Sequence, residues 1–296
     1  MNRKPGSVPD WFLGAIDLHV HSRPSIFPRL LDDHEVVQQA AQAKMGGVVL
    51  KAHEGSTVAR AQLAQSTVPD LVVRGGVVLN RFVGGVNPFA VELALGLGGV
   101  MVWMPTIHAE NHIDYYGEAG FKEQRSDYRS RVVEPLSVMN AQGKLRPEAI
   151  EVLEVIASHP GVVLNNGHLN ANETAVLFGE ARKRKINRLM VAHPELPLTG
   201  YSLDFQLEMI DLGAIIERCY LPHLAHWGGF PIDRTAAEIR RLGTQHCVLS
   251  TDFGQVDSPH PAKGLQQFGQ ALIGSGLGEE DVRRMIRDNP AHLLGL

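Results

Sequence analysis

The chain has 296 residues, 44% of them apolar, and a formal net charge of -4. That length supports a sizeable core without staples. Two cysteines make no disulfide framework, and a slightly acidic balance with no basic block argues against nucleic acid as a partner. The start, Met1-Asn2-Arg3-Lys4-Pro5-Gly6, leads into no apolar stretch of signal-peptide length, and no run approaches a membrane span, so a soluble, cytoplasmic protein is expected.

The first apolar run, residues 11–16, reads as a strand that exits into Asp17-Leu18-His19-Val20-His21-Ser22. Side chains two apart on a strand share a face, so His19 and His21 project together. Neutral imidazole is the commonest protein ligand of transition metals, and this pair would supply half of a tetrahedral site. Two solvated histidines at a polar strand end are the alternative. Asp32 or Asp33 then caps a helix to about residue 44, with Val36, Val37, Ala40 and Ala41 on one side. The stretch Val48-Val49-Leu50-Lys51-Ala52-His53 is apolar until its exit, the pattern of a parallel strand covered on both faces.

The alternation continues with a helix over 56–65, a strand over 71–79 with Asn80 at its exit, a helix over 88–97 and a strand over 98–104. Residues 106–143 break the rhythm with Tyr115, Tyr116, Phe121, Tyr128, Arg125, Arg129 and Arg131. So long an interruption in a compact chain is usually functional or partly helical. Pro147 opens a helix to about 158. A strand over 161–165 exits into Asn166-Gly167-His168, and Asn172 caps a helix to about 185. A strand over 188–192 exits at His193, before a helix over 203–212. A strand over 213–219 leads to a loop carrying His223 and His226, and Asp233 caps a helix to 242. The strand over 247–250 exits at Thr251-Asp252, and helices over 261–273 and 279–288 close the chain.

About eight strand–helix units in a chain of this length predict a closed (β/α)8 TIM barrel, an α/β fold. It is expected to form a single domain over 1–296, with a long insertion after strand 4 (about 106–143) over the mouth. No Gly-x-Gly-x-x-Gly follows the first strand, which argues against a dinucleotide fold. In such barrels chemistry sits at the carboxyl ends of the strands. Those ends carry His19 and His21, Lys51 and His53, Asn80, His168, His193 and Asp252. Fourteen histidines scattered at random would not fall so regularly at strand exits, which predicts a metal site at one rim. Taken alone, His168 or His193 would equally suit a core or helix-capping role.

These segments resemble the amidohydrolase superfamily of metal-dependent hydrolases. The matching pieces are Asp17-Leu18-His19-Val20-His21, Asn166-Gly167-His168, Val191-Ala192-His193-Pro194 and Ser250-Thr251-Asp252, and the ending Asp288-Asn289-Pro290-Ala291-His292-Leu293 is similar to the closing helix of many members. The resemblance implies His19 and His21 as ligands of one metal, His168 and His193 as ligands of a second or of a shared site, and Asp252 as ligand and proton shuttle. Imidazoles and a carboxylate suit Zn²⁺, with Mn²⁺, Fe²⁺ or Ni²⁺ as possible occupants, one or two per chain. A divalent cation brings the pKa of bound water from about 15.7 to about 7 and so yields hydroxide at neutral pH.

The superfamily pattern often bridges two metals with a carboxylated lysine or a glutamate from the fourth strand. Here that strand reads Val100-Met101-Val102-Trp103-Met104 and offers neither. Lys51, at the exit of the second strand, is the expected substitute: desolvation favours a neutral amine, which can be carboxylated into a bridging ligand. An ammonium that binds an anionic substrate, or an ion pair with Asp17 or Asp252, are the other readings. His53 shares the face of Lys51 and is expected at the substrate, with orienting a metal ligand or standing solvated at the rim as the alternatives; His223 and His226 are expected at the substrate too, a structural loop role being their alternative. Glu217 and Cys219 share one face of strand seven, and Cys219 and Cys247 read as core. His34, His112, His159, His246, His260 and His292 read as helix, loop or surface residues. The insertion's arginines and tyrosines suit an anionic or planar small-molecule substrate, or an oligomer contact, and a homo-oligomer is expected.

The expected activity is hydrolysis of an amide, lactone or ester of a small molecule. A second reading is a phosphoesterase, because Asp17 to Ser22 also resembles the first motif of the polymerase-and-histidinol-phosphatase group. Leu50-Lys51-Ala52-His53 stands where that group usually has Thr-Asp-His. A mononuclear decarboxylase or hydratase is the third reading, and a non-enzymatic metal-binding or scaffold protein the fourth.

Overall fold

A computed structural model describes residues 8–117 and 134–296. Eight strands form the centre: β1 (Ile16–His21), β2 (Gly47–Lys51), β3 (Val72–Val78), β4 (Met101–Trp103), β5 (Val163–Asn165), β6 (Leu189–Ala192), β7 (Ala214–Cys219) and β8 (Cys247–Ser250). They pair in parallel in chain order. The ring closes where the amide of His21 donates to the Phe253 carbonyl at 2.8 Å and the amide of Asp252 to the His19 carbonyl at 3.0 Å. This is the (β/α)8 barrel the alternation predicts.

Both faces of the strands are buried, which is why they read as apolar runs rather than as alternation. Ile16, Leu18, Val49, Val78, Met101, Trp103, Val163, Met190 and Val248 fill the barrel interior, closed by Leu293 from the last helix (α11, Asn289–Leu294). Val48, Leu50, Val77, Val102, Leu164, Val191, Ile216 and Leu249 pack outward under the helices. Gly76 on β3 has no alternative: a Cβ there would overlap the Met101 carbonyl and the Trp103 ring.

Helix starts follow local chemistry. Asp32 caps α1 (Asp33–Gln42) through a reciprocal box with Glu35. Asn170 caps α6 (Ala171–Lys183) in the same way with Glu173, two residues before the expected Asn172, because only Asn170 has an acid three residues on. The helix over Ile232–Leu242 (α8) starts after Pro231, so Asp233 lies inside its first turn rather than at the cap. The expected strand over 11–16 is also corrected. Asp10–Phe12 is a 3₁₀ turn, Gly14 sits at φ 77°, and the strand is Ile16–His21, which contains the Asp17–His21 motif. After β4 the chain enters a helix over Glu110–Tyr116 (α4), and Ala109 pairs with Leu136. The expected cover of the mouth by 106–143 falls in part on 118–133, outside the described residues. Among the described residues no helix is long and apolar enough to cross a membrane.

Candidate metal centre

A strict period of two from Ile16 and Leu18 would turn Val20 into the barrel and His19 out. Instead β1 carries a bulge. Asp17 pairs with Val48 and Val20 with Leu50, three steps on one strand against two on its neighbour. The bulge shifts the phase, so His19 and His21 join the interior while Val20 packs outward. Asp17 holds this irregular backbone. Its carboxylate accepts from the amides of His19 and Thr251, both at 3.1 Å, and from Thr251 Oγ1 at 2.6 Å. Burial pushes its pKa up, to about 7, against those hydrogen bonds. Asp17→Ala removes the carboxylate that the His19 and Thr251 amides bond and leaves Thr251 Oγ1 only its 3.4 Å contact with the His19 carbonyl; it is expected to cost roughly 2–4 kcal/mol, read as a lower urea midpoint at unchanged m-value.

Three donor atoms converge at the barrel mouth. His19 Nε2 lies 3.0 Å and His21 Nε2 3.1 Å from the same oxygen, Asp252 Oδ1. His193 Nδ1 lies 3.8 Å from Asp252 Oδ2. His19, His21 and Asp252 offer donors within 4.8 Å of one another, and so do His19, His193 and Cys219. Asp252 and His193 both sit at φ 57°, a left-handed backbone that costs a residue with a Cβ about 1–2 kcal/mol. Such outliers persist where surrounding structure enforces them; here they occur at the exits of β8 and β6, on the two residues that meet at this centre.

The electrostatics suit a cation. Burial would raise the Asp252 carboxyl, but the imidazoles of His19, His21 and His193 outweigh it and hold the acid well below the usual carboxylate range. Burial pushes His21 well down and His193 down to about 4, leaving their nitrogen lone pairs unprotonated at neutral pH. Burial pulls His19 down too, but the Asp252 and Glu217 carboxylates prevail and raise it. Buried lone pairs and a carboxylate facing one point without a cation between them are costly, and two imidazoles with a carboxylate form a donor set that fits a divalent ion.

Lys51 lies at the same point. Its Nζ is 2.9 Å from His19 Nε2 and 5.6 Å from the Trp103 ring centre. Desolvation lowers its pKa. Trp103 fills the inward position of β4, where the superfamily pattern often has its bridging acid or lysine.

His168 stands one ring further out, 5.3 Å from the ring of His193, with Nδ1 2.8 Å from Nδ1 of His112. His112 is therefore buried in the site and is not a surface residue; it lies on α4, where no periodicity marked it. His53 stacks on His21 at 4.8 Å and its Nδ1 meets Thr106 Oγ1 at 2.9 Å. A pocket opens over these groups, lined also by Phe27, Arg29, Leu196, Leu198, Tyr116, Leu221, Trp227 and Gln255. The structure does not bring His223 and His226 to that lining. His223 Nδ1 bonds the Phe230 carbonyl at 2.7 Å and its ring packs on Phe268, while His226 pairs with Asp257 at 3.1 Å in a half-exposed position. Their loop contributes Leu221 and Trp227 instead. Arg29 and Gln255 went unread in the sequence because they lie in irregular segments, joined by a single antiparallel bridge.

Among solved structures the chain is similar to an amidohydrolase from Pseudomonas aeruginosa, at 12% identity over 95% of each chain with a TM-score of 0.59. It is similar to 2,6-dihydroxybenzoate decarboxylase from Rhizobium, at 14% identity over 96% of this chain and 99% of that one, TM-score 0.54. It is also similar to a variant of a PTE-like lactonase from Deinococcus radiodurans, at 13% identity over 98% of each, TM-score 0.55. At these identities the likeness is one of fold, and the fold is the one the amidohydrolase motifs imply. No curated protein matches the sequence. Residues 14–217 match the family of unknown function DUF6282, and the chain belongs to that family.

Proposed function

We propose that the chain is a metal-dependent hydrolase that cleaves an amide, lactone or ester bond of a small molecule. The observation that carries this reading is the convergence of His19 Nε2, His21 Nε2 and Asp252 Oδ1 at the barrel mouth. His19, His21 and Asp252 would hold the ion, with His193 beside them and His168 further out. Nitrogen and carboxylate donors favour Zn²⁺, which when bound polarises a carbonyl and lowers the pKa of a water. Asp252, ionised across the working range, accepts the proton of the attacking water and returns it to the leaving group. Arg29, His53 and Gln255 supply polar contacts at the pocket wall, and Leu196, Leu198, Leu221 and Trp227 exclude water around the scissile bond.

Lys51 fits this reading in either of two states. Burial lowers its pKa, the direction carboxylation needs: the neutral amine, on reaction with carbon dioxide, forms an N–C bond, releases a proton and becomes a carbamate able to bridge two ions. The free amine goes with one ion. Trp103 in the bridging position of β4 favours a single ion, and a single-ion site also supports decarboxylation.

Chelator-treated and Zn²⁺-reconstituted protein, assayed on panels of lactones, aryl esters and N-acyl amides, tests the reading. Metal-dependent turnover with one or two Zn²⁺ per chain is expected. Metal-dependent release of carbon dioxide from aromatic acids, without hydrolysis, moves the assignment to decarboxylation; a chain that retains no divalent ion overturns both.

A further inference from the structure

Glu217 on β7 is fully buried, and among the described residues neither of its carboxylate oxygens accepts a well-aligned hydrogen bond. A buried acid in that condition is costly unless a cationic or donor group faces it. The group that does is His19: Glu217 Oε1 lies 3.3 Å from His19 Nδ1, on the edge of the ring opposite Nε2. Nε2 is the atom aimed at Asp252 Oδ1 and Lys51 Nζ. Glu217 therefore faces the ring edge opposite the atoms that converge at Nε2. Which nitrogen of a histidine carries the proton is set by the partner of the other nitrogen, and a carboxylate behind a metal-ligating imidazole fixes its orientation and raises its basicity.

We infer that Glu217 is a positioning residue that holds the proton of His19 on Nδ1 and so leaves the Nε2 lone pair facing the metal position. This rests on the metal reading above. It accounts for an acid in the interior of a strand whose outward residues are apolar or paired. Cys219 Sγ, 3.9 Å from the same Nδ1, is the longer of the two contacts that this nitrogen makes with β7.

The test uses full-length Glu217→Gln, close in shape but without the charge. Its dissociation constant for Zn²⁺, measured by chelator competition, is expected to rise about 10–100-fold. An unchanged constant overturns the inference. A second measurement needs no substitution at Glu217. The ¹⁵N imidazole spectrum of Zn²⁺-loaded wild-type protein, with His19 assigned by comparison with His19→Gln, is expected to show Nδ1 protonated and Nε2 bound. Coordination through Nδ1, or a proton on Nε2, overturns the inference even if Glu217→Gln fails to fold. Failure of the metal reading is separable, since it is seen in the wild-type chain as no Zn²⁺ uptake, which overturns the positioning role as well.

Discussion

Asp252→Asn is expected to lower kcat by about 10²–10⁴-fold, the usual share of a general acid–base group, while KM changes little. The substitution keeps the shape of the side chain and, because Asn also tolerates a left-handed backbone, it keeps φ near 57°. It removes the charge that His19, His21 and His193 together hold on the acid, and it removes the acceptor for the proton of the attacking water. Some loss of Zn²⁺ is expected too, because one of the three converging donors becomes a neutral amide. The two effects separate at saturating Zn²⁺: restored occupancy with kcat still depressed identifies the proton-transfer role. Recovery of full kcat on adding Zn²⁺ would reduce Asp252 to a ligand alone. Metal content by elemental analysis and kcat on the same samples make the distinction.

The barrel was legible because parallel strands covered on both faces leave an unmistakable trace: Val48-Val49-Leu50 and Cys247-Val248-Leu249 are apolar without alternation, each followed by a polar exit. The exits pointed to His19, His21, Lys51, His168, His193 and Asp252, and the structure places all six around one mouth, with His168 the most distant from the convergence. What the sequence hid has local causes. Period two alone puts His19 and His21 on one face but assigns that face wrongly from Ile16 and Leu18, since the bulge at Leu18–His19 leaves no mark in the sequence. His112 and Arg29 lie in segments without periodicity and reach the site only through tertiary packing. His223 and His226 had the right loop and the wrong direction: the 3₁₀ turns Leu221–His223 and Ala225–Trp227 send Leu221 and Trp227 to the pocket and the imidazoles elsewhere. Glu217 was legible only as sharing one face of β7 with Cys219; that the face meets the ring edge of His19 needs the fold.

Arg218→Ala is expected to destabilise the fold by about 3–5 kcal/mol, the cost of breaking a buried ion pair by removing one partner. Arg218 is the outward neighbour of Glu217 on β7 and is fully buried. Its Nη1 donates to Glu195 at 2.7 Å and to Glu238 on α8 at 2.9 Å, and its Nη2 donates to Gln206 at 2.6 Å. Gln206 belongs to the helix over Leu203–Asp211, and Glu195 follows His193 by two residues, so one guanidinium ties β7 to two helices and to the loop that carries a residue of the metal centre. Truncation strands the Glu195 carboxylate in the interior with no counter-ion. Against a total stability of about 5–15 kcal/mol this is a large fraction. Arg218→Lys keeps the charge but offers a single point in place of a planar fork, so an intermediate loss is expected. The pairing itself is isolated by a double-mutant cycle: Glu195→Gln in the Arg218→Ala background is expected to cost less than in the wild type, or to restore stability, because it removes the stranded charge. Urea unfolding of the four proteins reads the coupling; additive losses would mean that the contacts of Arg218 with Gln206 and Glu238, and not its pairing with Glu195, carry its contribution to stability.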